Sequence, residues 1–163
     1  MTYDILLVSV ESVLVHIKSG DRYPKNIADF MPDYNLWYAI KFFGPTEIWA
    51  IENYDLTLPQ ESRVGGINCH EVRISFISKW LSQVSGLPCK HLYSARGNWI
   101  SGWGYKGDDE IPELILRLSD LKHPKMLYVG NDIEYFKEKG IDTMTPEKFI
   151  EKYNKNPRKY EKK

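Results

Sequence analysis

Residues 5–10 (Ile-Leu-Leu-Val-Ser-Val) form a short, nearly unbroken apolar run of β-preferring residues. A run without alternation reads as a strand buried on both faces, which suits the centre of a parallel sheet. Residues 47–51 (Glu-Ile-Trp-Ala-Ile) and 125–129 (Lys-Met-Leu-Tyr-Val) have the same character, and residues 91–93 and 141–144 read as shorter strands. Between these runs the apolar spacing changes to three and four. Leu36, Ile40 and Phe43 predict a helix over 35–43 that stops at Gly44-Pro45. Val72, Phe76, Trp80 and Val84 predict another over 71–84. Ile111, Leu114, Ile115 and Leu118 line one face of a helix over 110–121, with Pro112 tolerated in its first turn. A short helix over 133–139 closes at Gly140, and Thr145 followed by Pro146 and Glu147 caps a final one. A helical pattern also begins at 26–30 and is interrupted by Pro32. Residues 13–17 follow a turn and read as extended or helical. Residues 59–68 read as a loop, and 96–109 as a loop or hairpin. Strands alternating with helices predict parallel βαβ units, hence an α/β sandwich.

Composition narrows the setting. A chain of 163 residues with balanced charge fits one globular domain, placed at residues 1–150. Residues 151–163 form a basic tail, with six Lys or Arg against two Glu, a net of +4. Such a tail either touches an anionic partner or is a solvated terminus. The formal net charge of zero removes any global pull toward nucleic acid. Cys69 and Cys89 have no CxxC spacing and read as free thiols of a reducing compartment. Asp4 precedes the first apolar run and no basic segment leads it, which argues against a signal peptide. No run approaches the roughly 20 apolar residues of a membrane span. A cytoplasmic protein without membrane contact is the expectation. His16, His70, His91 and His123 are scattered without ligand spacing, so no metal role is assigned to them.

Candidate chemistry sits where open α/β sheets bind ligands, beyond the carboxyl ends of the strands. Ser9 and Glu11 follow the first strand, Glu52 and Asn53 the second, and Asn131 and Asp132 the third. Lys106 lies 24 residues before Gly130. The loop after the first strand, Val8-Ser9-Val10-Glu11-Ser12-Val13-Leu14, has the frame of an aspartate-nucleophile phosphatase loop (apolar strand, Asp, any residue, Asp, small residue, Thr, Leu). Together with Lys106 and Gly130-Asn131-Asp132 it resembles the haloacid dehalogenase (HAD) superfamily in degenerate form. The segment Leu92-Tyr93-Ser94-Ala95-Arg96 and the stretch 140–149 bring the chain closest to the 3'-phosphatase domain of phage-type polynucleotide kinases.

The resemblance implies a three-layer, Rossmannoid sandwich around a central parallel sheet. It also implies a carboxylate nucleophile at the position of Ser9 and an acid/base at Glu11. A phosphoryl-gripping hydroxyl belongs where Glu52 stands, the family's lysine at Lys106, and metal-binding acids at Asn131 and Asp132. Ser9 has no carboxylate to attack phosphorus, Glu52 would repel a phosphate, and Asn131 lacks an acid's charge. Loss of a nucleophile alone removes on the order of 10⁴–10⁶ in rate. The expectation is a catalytically inactive descendant, with no cofactor and no metal, in which Glu11 and Glu52 pair with Lys106. The alternative is a Mg²⁺-dependent polynucleotide 3'-phosphatase or small phosphatase rewired through Glu11, Asp132 and Lys106.

Function then moves to a strip that mixes cations, aromatics and glycines: Lys90, Tyr93, Arg96, Trp99, Trp103, Tyr105 and Lys106. Aromatic stacking with backbone neutralisation is how single strands are held without sequence readout. Trp99 and Trp103 fit such a contact or a covering of the sheet edge, whereas Trp37, Trp49 and Trp80 lie on apolar faces and read as core. The partner is expected to be nucleic acid or a protein complex that works on it. By analogy with small phage accessory proteins, host takeover or transcription shut-off is the setting. The oligomeric state is left open.

Overall fold

The computed structural model describes residues 3–9, 15–17, 30–53, 63–64, 67–68, 79, 83, 89–95, 98–101, 106–107 and 111–154. The strands are β1 (Ile5–Ser9), β2 (Val15–Ile17), β3 (Phe30–Pro32), β4 (Glu47–Asn53), β5 (Arg63–Val64), β6 (Ile67–Asn68), β7 (Cys89–Ala95), β8 (Asn98–Ser101), β9 (Lys106–Gly107), β10 (Met126–Val129) and β11 (Asp142–Met144). The helices are α1 (Tyr34–Phe43), α2 (Ile111–Leu118), α3 (Ile133–Glu138) and α4 (Pro146–Tyr153).

The main sheet has the order β11-β10-β1-β4-β7-β8-β9. Its first five strands are all parallel, and β8 and β9 extend the β7 edge in antiparallel pairing. The chain is therefore of the α/β class, as the alternation predicts. Every residue of β1 is buried, which explains its uninterrupted apolar run. One face carries Leu6, Val8, Ile48, Ala50, Leu127 and Val129 against Leu36, Ala39 and Ile40 of α1 and Phe149 of α4. The other carries Ile5, Leu7, Trp49, Ile51, Leu92 and Tyr128 against Leu114 and Ile115 of α2 and Phe136 of α3. Trp49 is fully buried, as its apolar strand implies, and Trp37 packs half-buried against the first face. Trp80 lies outside the described residues.

Local signals explain the helix ends. Asp33 caps α1 by accepting from the Leu36 amide at 3.0 Å, and Gly44 ends it in the left-handed conformation at φ 66°. Thr145 caps α4 by accepting from the Lys148 amide at 3.3 Å. Helix α2 stops at Leu118, short of the predicted 121, because the Asp120 amide turns away to donate to Glu47 Oε2 at 3.1 Å.

Three expectations are revised. Phe30–Pro32 is a strand paired with β2, not the end of a helix. Pro32 biases Met31 toward extended backbone, and that preference prevails over the apolar spacing. Residues 63–64 and 67–68 form a small antiparallel pair inside the predicted loop. The segment 96–109, read as a loop or hairpin, supplies β8 and β9 in antiparallel pairing, which agrees with the hairpin alternative. Finally, the fold does not end at residue 150. Helix α4 runs to Tyr153, and Asn154 is 2% exposed with its Nδ2 donating to the Asn35 carbonyl at 3.1 Å. Of the predicted helix over 71–84, Lys79 and Gln83 have helical backbone and the rest lies outside the described residues. Among the described residues no helix is long and apolar enough to cross a membrane.

Candidate functional site

From β1 the chain builds the sheet in one direction through β4 and β7, then crosses to the other side for β10 and β11. The carboxyl ends of β1 and β10 therefore flank the switch point, where such sheets open a ligand crevice. Ser9 ends β1 there, and Gly130, Asn131 and Asp132 follow β10.

At the switch point a core side chain reaches the strand ends. Tyr128 is the register partner of Leu7 on the face shared with Trp49 and Phe136. Its hydroxyl makes a buried hydrogen bond with Ser9 Oγ at 2.7 Å. Ser9 lies two residues beyond Leu7, about 6.6 Å along the strand, and the length of a tyrosine side chain covers that rise. The Asp132 amide donates to the same Tyr128 oxygen at 3.1 Å. Ser9 is 3% exposed and Tyr128 fully buried, with its ring stacked on Phe136 at a centroid distance of 3.9 Å. Gly130 lets these groups converge: a Cβ there would press on Tyr128 Oη and stand 2.6 Å from Ser9 Oγ.

Asp132 is half-buried, and burial pushes its carboxyl above the ordinary aspartate range. Its side chain makes no capping bond to α3. A carboxyl with a raised folded-state pKa contributes stability below its unfolded pKa, and this is lost as pH rises through the folded value. Asp132→Asn is therefore expected to raise the melting temperature at neutral pH and to lose that advantage in acid. Thermal melts on either side of the aspartate range check this, and an unchanged or lower neutral melting temperature would refute it.

The other predicted site residues scatter. Glu52 and Lys106 occupy one cross-strand row, Glu52–Tyr93–Ile100–Lys106, adjacent to the row Ser9–Ile51–Leu92–Ser101. Glu52 thus stands one row beyond Ser9 and one strand away. Strand β9 stands four strands from β1, about 19 Å across the sheet at ~4.8 Å per strand. Lys106 is thus not brought beside Ser9, because the hairpin carries it to the sheet edge. Asn131 is exposed. Glu11, Arg96, Trp103 and Tyr105 lie outside the described residues, whereas Tyr93 and Trp99 sit on β7 and β8 of the edge hairpin.

No family model and no curated protein matches the chain.

Lys90 is corrected as a nucleic-acid contact. It is 6% exposed, and its Nζ lies 3.7 Å from Glu47 Oε2 and 3.4 Å from Asp120 Oδ2. Its register partner on β4 is Trp49, and its Nζ turns toward Glu47 at the amino end of that strand, away from the carboxyl ends where the switch point lies. A buried ammonium ion needs a carboxylate, and Glu47 supplies one.

The described donors at the crevice do not fit magnesium. They comprise one carboxylate at Asp132, an exposed amide at Asn131, and two hydroxyls engaged with each other, whereas Mg²⁺ is held through carboxylate oxygens in octahedral array. Among the described residues no three His, Cys, Asp or Glu converge as metal ligands.

The residue that sequence reasoning passed over is Tyr128. Its signal was there: a phenol in a strand buried on both faces must find a polar partner for its hydroxyl.

Proposed function

We propose that the chain is a HAD-like, three-layer Rossmannoid protein without phosphatase chemistry, acting by binding nucleic acid or a protein machine that processes it. One observation carries this reading. At the switch point, where the resemblance asks for a carboxylate nucleophile, Ser9 presents a hydroxyl that is buried and bonded to Tyr128. Among the described residues this hydroxyl meets a phenol and no base that could activate it, and its burial keeps it from phosphorus. The wide separation of β9 from β1 supports the same conclusion, since the lysine of the implied mechanism is carried off to the edge.

Binding is assigned to that edge. The antiparallel extension β7-β8-β9 carries Tyr93 and Lys106 in one cross-strand row and Trp99 in the next, and Arg96 falls between β7 and β8 in sequence. Aromatics with cations at a sheet edge suit a single strand held by stacking and phosphate neutralisation. A role in phage host takeover or transcription shut-off fits this chemistry.

A 3'-phosphorylated single-stranded oligonucleotide with Mg²⁺ tests both halves. The expected result is no release of phosphate, together with a tryptophan fluorescence change whose midpoint weakens as salt rises. Metal-dependent release that disappears in Glu11→Gln would establish the rewired phosphatase instead. Absence of any response to DNA or RNA strands would redirect the search to a protein partner.

A further inference from the structure

The geometry points to Tyr128 as a built-in occupant of the switch-point crevice, which closes it to small oxyanions and metal ions independently of the missing nucleophile. This deepens the proposal above and rests on its reading of the fold. Three observations converge. The phenolic oxygen takes a hydrogen bond from the Asp132 amide at 3.1 Å and shares another with Ser9 Oγ at 2.7 Å. These are polar groups that would otherwise face a ligand beyond the strands. The ring beneath it is fully buried and stacked on Phe136 at 3.9 Å and 16°. It therefore cannot swing out as an exposed tyrosine would. Gly130 approaches so closely that any added Cβ meets both hydroxyl-bearing side chains.

The consequence is that Ser9 and Tyr128 form a matched pair. A carboxylate at position 9 reaches farther than the serine hydroxyl and has the same oxygen in its path. Restoring the acid alone would not restore a ligand site. Shortening the tyrosine as well would clear the crevice.

Two measurements decide it. The first uses Tyr128→Phe, which keeps the stacked ring and removes the oxygen. Its Asp132 amide should shift and exchange with solvent at least about tenfold faster, as expected for a hydrogen bond of about 1.4 kcal/mol. An unchanged Asp132 amide would overturn the proposal. The second uses Mn²⁺ as a paramagnetic probe on the wild type, Ser9→Asp, and Ser9→Asp with Tyr128→Val. Saturable line broadening at Gly130 and Asp132 is expected in the double variant alone. Equal broadening in Ser9→Asp would overturn the proposal, as would none in a folded double variant. If the double variant does not fold, the Tyr128→Phe amide decides. Failure of the parent reading has a different signature, metal-dependent phosphate release by the unaltered chain.

Discussion

Replacing Glu47 with alanine is expected to destabilise the fold by roughly 3–5 kcal/mol, the range for breaking a buried ion pair. Glu47 is 7% exposed and opens β4. Its Oε1 accepts from Trp49 Nε1 at 3.1 Å and from Ser119 Oγ at 2.9 Å. Its Oε2 accepts from the Asp120 amide at 3.1 Å and faces Lys90 Nζ at 3.7 Å. Alanine would take their acceptor from three donors, of which the Trp49 indole is fully buried. It would also leave the Lys90 ammonium dependent on the exposed Asp120 carboxylate and the Leu118 carbonyl, each 3.4 Å away. Loss of that ammonium's buried carboxylate is the larger part of the effect. The pair itself need not be net stabilising, because both ions were stripped of water to form it. Glu47→Leu combined with Lys90→Met should therefore recover much of what Glu47→Ala loses. Urea unfolding of the single and double variants, followed by Trp49 fluorescence, measures both. A loss below about 1 kcal/mol for Glu47→Ala would mean that the network is solvated and behaves like a surface pair.

The same network shows where sequence reading reached and where it stopped. Strands and helices were legible because each is written in local periodicity: the unbroken apolar run of β1, the spacing of Leu36 and Ile40, the cap at Thr145. Lys90 was not legible. Its partners, Glu47 and Asp120, are 43 and 30 residues distant in sequence. Burial of a charge is decided by such remote partners, so local composition suggests a surface cation instead. Lys106 failed for a related reason. Spacing to Gly130 says how much chain intervenes, and says nothing of which edge of the sheet that chain visits. The switch point itself was foreseeable from strand ends. That a buried Tyr128 needs a polar partner was foreseeable too, but not that the partner is Ser9, which lies 119 residues away.

Gly130→Ala tests that meeting directly and is expected to destabilise by about 3 kcal/mol, the upper part of the overpacking range. The added methyl group would stand 2.6 Å from Ser9 Oγ and 2.6 Å from Tyr128 Cζ, and closer still to Tyr128 Oη. Neither neighbour has room to yield. Ser9 is 3% exposed and tied to Tyr128, and the Tyr128 ring is pinned on Phe136. Backbone strain makes no contribution, because Gly130 does not have the positive φ that Gly44 and Gly140 have among the described residues. That separates the mechanisms. Gly140→Ala has no atom within 4 Å to meet and would suffer from its φ of 82° alone. No change to a neighbouring side chain should relieve it. Gly130→Ala is a purely steric fault, so Tyr128→Leu in the same chain should relieve part of it. Residues in contact show coupling energies of about 0.5–3 kcal/mol in double-variant cycles. A coupling in that range between positions 128 and 130, by denaturant unfolding, is the expected outcome. Strict additivity would show that the crevice gives way around the methyl group, and that Tyr128 is not held where its hydrogen bonds place it.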